Sequence, residues 1–106
     1  VNTPYAVISL PLRREILDHL RAGPSTVGDL AERLETPQAM VSKQLRVLRE
    51  AGFVQVTADA QRRWYGLREE PFAEIAQWLE PYRWLWEDRL DRLGTRLDQM
   101  QDEETP

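Results

Sequence analysis

The run Val41-Ser42-Lys43-Gln44-Leu45-Arg46-Val47-Leu48-Arg49-Glu50-Ala51-Gly52-Phe53-Val54 decides how the rest of the chain is read. Val41, Leu45 and Leu48 recur at helical spacing and mark a buried stripe, while Ala39, Ser42, Lys43, Arg46 and Glu50 share the opposite one. Gly52 supplies the left-handed stop that ends such a helix. Its start is set by Glu35-Thr36-Pro37: Thr36 can accept a hydrogen bond from the opening turn, and Pro37 fits the first helical position, where no amide partner is needed.

Upstream, Thr26 stands three residues before Asp29, a capping-box spacing, and Val27, Leu30, Ala31 and Leu34 form the apolar stripe of a short helix. Further back, Ile8, Leu12, Ile16, Leu17 and Leu20 mark an amphipathic helix, broken near Pro11 and closed by Gly23-Pro24. Downstream, Phe53-Val54-Gln55-Val56-Thr57 and Arg63-Trp64-Tyr65-Gly66-Leu67 are strand-forming runs separated by residues 58–62, which predicts a hairpin. Val54, Val56, Tyr65 and Leu67 are its inward residues, Trp64 faces the other way, and Arg62 and Arg63 fall at or beside the tip.

Two short helices joined by a tight turn make a helix-turn-helix. A major groove admits one helix, and only side chains near that helix's N-terminal end reach base edges, so small, polar and basic residues belong there. Gln38, Ser42, Lys43, Gln44 and Arg46 are the candidates: the amides suit adenine, lysine and arginine suit guanine, and Ser42 suits a base or a phosphate. Thr36 and Pro37 set the start of this helix, while Arg62 and Arg63 would hold the hairpin to the phosphate backbone. An ordinary solvated helix face has the same pattern; the hairpin and its two arginines favour the nucleic-acid reading.

Composition narrows the classes. The 106 residues are 42% hydrophobic and 30% charged with net charge -4, which describes one small globular domain. With no cysteine there is no disulfide framework, thiolate metal site or cysteine nucleophile. No apolar stretch is long enough for a membrane span or a signal-peptide core, so a cytoplasmic location is expected. The acidic total conceals a segregation: residues 36–68 carry six basic and two acidic side chains, net +4, whereas residues 69–106 carry four and eleven, net -7. A basic centre with an acidic tail suits double-stranded DNA as the partner.

In the tail, Pro71 opens a helix containing Phe72, Ile75, Ala76 and Leu79, and Pro81 interrupts it. Beyond it Tyr82, Trp86, Leu90, Leu93, Leu97 and Met100 form a narrow stripe that one helix cannot bury alone. A homodimer is expected, joined through Tyr82, Trp86, Leu90, Leu93 and Leu97 together with Ile8 and Leu12 of the first helix. The expected organisation is a DNA-binding core at 1–68, a dimerisation segment at 69–100 and a flexible tail at 101–106. The fold class is mainly α with a small β-hairpin, a winged helix-turn-helix with an added C-terminal helix.

The ordered set resembles the ArsR family of bacterial winged-helix transcriptional repressors. The resemblance rests on Leu12-Arg13-Arg14-Glu15-Ile16-Leu17, on Thr26-Val27-Gly28-Asp29-Leu30-Ala31, on the run from Val41 to Val54, and on Arg62-Arg63-Trp64-Tyr65-Gly66-Leu67. It continues into Trp78-Leu79-Glu80-Pro81-Tyr82-Arg83, Trp86 and Arg89-Leu90-Asp91, and so covers nearly the whole chain. It implies a homodimeric repressor on an inverted-repeat operator, including its own promoter. Metal-sensing members carry Cys-Val-Cys where this chain has Thr26, Val27 and Gly28, which cannot hold a soft metal. The only histidine, His19, sits upstream near a helix end, where it suits capping or packing, so neither metal nor other cofactor is expected. Gln44 replaces a histidine frequent in the family, and Asp59-Ala60-Gln61 replaces a glycine turn, which leaves the operator sequence open.

Two other readings stay open. A small-molecule effector could sit among Trp78, Tyr82, Trp84 and Trp86, or the winged fold could serve a protein partner instead of DNA. An enzyme is disfavoured, because no spacing brings a nucleophile to a base.

Overall fold

The computed structural model describes the backbone of residues 3–104; the side chains of Leu90, Asp91 and residues 98–104 lie outside that description. In chain order the elements are α1 (Pro4–Val7), α2 (Pro11–Leu20), α3 (Val27–Leu34), α4 (Gln38–Glu50), β1 (Val54–Asp59), β2 (Arg62–Leu67), α5 (Glu70–Leu79), a 3-10 turn (Glu80–Tyr82) and α6 (Arg83–Glu104).

Prolines and short polar side chains set the helix starts. Thr3 caps α1 by accepting from the Ala6 N–H at 3.2 Å, and Pro11 opens α2 where its missing amide loses nothing. The Arg14 guanidinium donates to the carbonyls of Ile8 and Ser9 in the break between them, at 2.7 and 3.2 Å. Thr26 caps α3 by accepting from the Asp29 N–H at 3.2 Å, as its spacing predicts. Gly52, at φ 81°, ends the α4 segment in the left-handed region.

Apolar stripes of α2, α3 and α4 converge on one core. Ile16, Leu17, Leu20, Leu30, Val41, Leu45 and Leu48 are buried there with Val7, Phe53 and Val54. Burying each of the larger side chains contributes roughly 1.5–3 kcal/mol, which is why three short helices hold their crossing. Phe53 is fully buried beneath the edge-on ring of Phe72, with centroids 5.2 Å apart.

The antiparallel hairpin pairs Val54 with Leu67, Val56 with Tyr65, Thr57 with Trp64 and Asp59 with Arg62. Its strands therefore extend through most of the segment expected as a loop at 58–62, and only Ala60 and Gln61 turn. The reason is local: Ala60 takes φ 57°, the conformation a two-residue hairpin turn requires, without a glycine. Ser25 and Tyr65 exchange backbone hydrogen bonds of 3.0 and 2.8 Å, which pins β2 to the loop before α3.

The chain divides into two compact units, Val1–Ile75 and Ala76–Pro106. The first reaches past residue 68, where the sequence places its end, because Phe72 meets Phe53 and Ile75 packs on the core. In the second, α6 continues to Glu104, and the last two residues of the tail expected at 101–106 lie outside the described residues. No helix among the described residues is long and apolar enough to cross a membrane.

Candidate nucleic-acid interface

The turn between α3 and α4 differs from the sequence expectation in one residue's role. Glu35 takes the left-handed conformation, φ 51° and ψ 43°, and closes α3. The Thr36 N–H donates to the Ala31 carbonyl at 3.1 Å, and the Thr36 hydroxyl donates to the Leu34 carbonyl at 3.0 Å. Thr36, expected to cap α4, instead closes the end of α3 through its N–H and its hydroxyl. Pro37 itself is the N-cap residue and has no side-chain cap to offer, so the first-turn amides of α4 at Gln38 and Ala39 lack a capping partner.

Along α4, Gln38, Ser42, Lys43 and Arg46 are exposed and share the face opposite Val41, Leu45 and Leu48. Arg46 pairs with Glu50 at 3.3 Å, but its side chain is 82% exposed. A pair one helical turn apart in water is worth only about 0.3–0.5 kcal/mol, so a phosphate or guanine can take the guanidinium over.

Gln44 does not belong to this face. It is half-buried, and its Oε1 accepts from Arg13 Nε at 2.8 Å, while Arg13 NH1 donates to the Val7 carbonyl at 3.3 Å. Gln44, expected to read a base, is turned toward α2 here, one position after Lys43 along the helical turn. Arg13 thereby ties α4 to the end of α1.

The hairpin supplies the other wall. Arg63 shares a strand face with Tyr65, and with Ala39, Ser42, Lys43, Arg46 and Arg49 they line a groove of about 480 Å³ between α4 and β2. Arg62 and Arg63 also reach the start of the helix-turn-helix, lining with Thr26 to Asp29 and Gln38 a second hollow of about 340 Å³. Five cations, Lys43, Arg46, Arg49, Arg62 and Arg63, are thus carried by two adjacent elements. Arg49 and Tyr65 are absent from the sequence-derived set. Arg49 was legible as the residue three beyond Arg46 on the same stripe, whereas the place of Tyr65 depends on how the hairpin closes onto α4. Trp64 is half-buried on the outer hairpin face, beside Pro24, Gln55, Thr57 and Gly66.

At Thr26, Val27 and Gly28, where the resemblance implies thiolates in metal-sensing members, the side chains supply no soft-metal donor. The Thr26 oxygen is used as a cap, Val27 packs on the core and Gly28 has no side chain. Among the described residues no three His, Cys, Asp or Glu side chains gather as ligands.

In the second unit Trp78 and Tyr82 are in ring contact, 5.4 Å between centroids. Trp84 and Trp86 line a shallow hollow with Leu85 and Asp88. Of the expected interface residues, Tyr82, Trp86, Leu93 and Leu97 are all exposed in the single chain. Leu90 has its side chain outside the described residues. Ile8 and Leu12 are half-buried against the chain's own core.

A tight-turned helix pair, a basic outer face on its second helix and a two-stranded hairpin alongside define a winged helix-turn-helix protein. A family model for a helix-turn-helix domain matches residues 8–57. The transcriptional repressor SdpR of Bacillus subtilis is 30% identical over 79 residues, 74% of this chain and 88% of that protein. The HTH-type transcriptional regulator NmtR of Mycobacterium tuberculosis is 51% identical over 54 residues, 51% of this chain and 45% of that one. The crystal structure of a "possible transcriptional regulator for arsenical resistance" superposes with TM-score 0.70 at 32% identity, covering 91% of this chain and 97% of that one. The chain belongs to the ArsR family of winged helix-turn-helix transcriptional regulators.

Proposed function

We propose that this protein is a homodimeric, sequence-specific repressor that occludes a promoter, its own included, in the cytoplasm. The observation that carries the reading is the groove between α4 and β2, where Lys43, Arg46, Arg49 and Arg63 converge around Ser42 and Tyr65. Gln38, Ser42, Lys43 and Arg46 read base edges or nearby phosphates, and Arg49, Arg62 and Arg63 hold the backbone. The acidic net charge does not oppose this, because the local field at the groove governs encounter with a polyanion. Pairing of two chains supplies two recognition helices and favours an inverted-repeat operator. Control through the thiolate position is disfavoured by the capping, packing and glycine residues that occupy it, and no catalytic step is assigned.

Footprinting on the DNA upstream of its own coding region, over a salt series and with the solution mass determined in parallel, tests the proposal. Protection of a two-fold symmetric site by a dimer, weakening steeply with salt, is the expected result. Retention on DNA that does not change with salt or sequence overturns it.

A further inference from the structure

Lysine and arginine are used very unequally in this chain. Of fourteen such side chains thirteen are arginine, and the single lysine is Lys43, on the outer face of α4. It is exposed and makes no hydrogen bond or ion pair among the described residues. A guanidinium stays protonated in proteins and is no nucleophile, whereas a lysine amine can lose its proton and attack a carbonyl. The surroundings of Lys43 suit one kind of reagent. It lines the groove of about 480 Å³ together with Ser42, Arg46, Arg49, Arg63 and Tyr65, and none of the residues lining that groove is acidic. Arg49 and Arg63 have no carboxylate partner among the described residues, and Arg46 has only its exposed pair with Glu50. Such a groove attracts small anions as well as DNA. Lys43 and Arg46 are three residues apart and so neighbours on the helix surface, and a phosphate held by Arg46 and Arg63 brings whatever is attached to it toward the Lys43 amine.

Resting on the DNA-binding reading, we propose that Lys43 is an acylation site, that its donor is a small acyl phosphate seated in the groove between α4 and β2, and that acylation releases the protein from DNA. The unprotonated Lys43 amine attacks the acyl carbonyl. A C–N bond forms, the carbon–oxygen bond to phosphate breaks, and inorganic phosphate departs with the electron pair of that bond and the proton given up by nitrogen. The reaction is balanced with no other co-reactant. Its product replaces a cation by a neutral amide, which removes a charge that attracts the polyanion and a donor suited to guanine. Donor and DNA compete for the same arginines, so bound protein is shielded and only the free form is modified. Acylation thereby holds the released state.

The test treats the full chain with acetyl phosphate and, separately, with N-acetoxysuccinimide, a donor without a phosphate. Modification of Lys43 is followed by peptide mapping, which separates it from the terminal amine. Seating in the groove predicts that the double variant Arg46→Ala with Arg63→Ala slows the acetyl phosphate reaction relative to the N-acetoxysuccinimide reaction by roughly fivefold or more, the effect of two exposed charge contacts. Excess sulfate should slow the first reaction alone. Both arginines are exposed, and the N-acetoxysuccinimide rate corrects for any change in access to Lys43. An unchanged ratio of the two rates makes Lys43 an exposed amine like any other and overturns the inference. Acetylated protein should bind the duplex upstream of its coding region about tenfold or more weakly than untreated protein, whereas Lys43→Arg, compared with itself before and after treatment, should not change. Equal binding by acetylated and untreated protein overturns the release step. Should the untreated protein bind no duplex, the DNA reading and the release step fall together, while the ratio of rates, measured without DNA, decides the acylation site.

Discussion

Replacing Gln44 by alanine separates two roles that the sequence alone cannot distinguish. If the residue holds α4 to Arg13, the change removes a 2.8 Å hydrogen bond from a guanidinium at a half-buried site. Bonds to charged groups contribute about 1.5–3 kcal/mol, and the partial exposure puts this one near the lower end, about 1.5 kcal/mol. For a domain of this size that corresponds to a fall in Tm of about 6–12 °C, measured at fixed protomer concentration because dimerisation contributes to Tm. Arg13→Ala loses the same bond and also the 3.3 Å bond to the Val7 carbonyl, so it should be at least as destabilising. The double variant should be little worse than Arg13→Ala, giving a coupling of about 1–2 kcal/mol in a double-mutant cycle. Calorimetry or denaturant melts supply the stabilities, and a binding screen across operator variants supplies the base preference, which should not change at any position. Additive stabilities, or a relaxed preference at one base pair in Gln44→Ala, would refute the assignment and return Gln44 to the DNA face.

Further outcomes follow from the same geometry. Lys43→Ala and Arg46→Ala should each weaken operator binding by about 1–3 kcal/mol and relax preference at a single base pair, read by titrating mismatched duplexes. Arg63→Ala should weaken binding to all duplexes alike and reduce the slope of log K against log salt by about 0.9, one phosphate contact. Phe53→Ala empties a fully buried site and should destabilise the fold by about 3–5 kcal/mol, whereas Phe72→Ala, partly exposed, should lose much less; urea melts compare the two. Ala60→Gly relieves a left-handed residue at the hairpin tip and should raise stability by about 0.5–1 kcal/mol, with a higher urea midpoint.

Much of the fold was legible because it is written at short range. The stripe Val41, Leu45, Leu48, the Thr26 cap, Gly52 after α4 and the apolar alternation of the hairpin each depend on neighbours a few residues away. The basic face of α4 was legible for the same reason: once Val41 and Leu45 go inward, Ser42, Lys43 and Arg46 must go out. What proved illegible rests on competition between elements. Thr36 has two helix ends within reach, and only the backbone geometry at Glu35 decides that it serves the earlier one. The contact between Phe53 and Phe72 across residue 68 likewise joins two elements that no local pattern connects.

The sequence by itself therefore determined the order of elements, their buried sides and the segment that carries positive charge, since helical and strand periodicities act within one element and need no partner. Which polar side chains remain free for DNA was decided only in three dimensions. Gln44 and Arg13 are 31 residues apart and meet because α2 crosses α4, and Arg49 and Tyr65 join the basic face because β2 closes beside it. Hydrogen bonds reach about 3 Å, and no spacing along a chain reveals which distant group will arrive within that range.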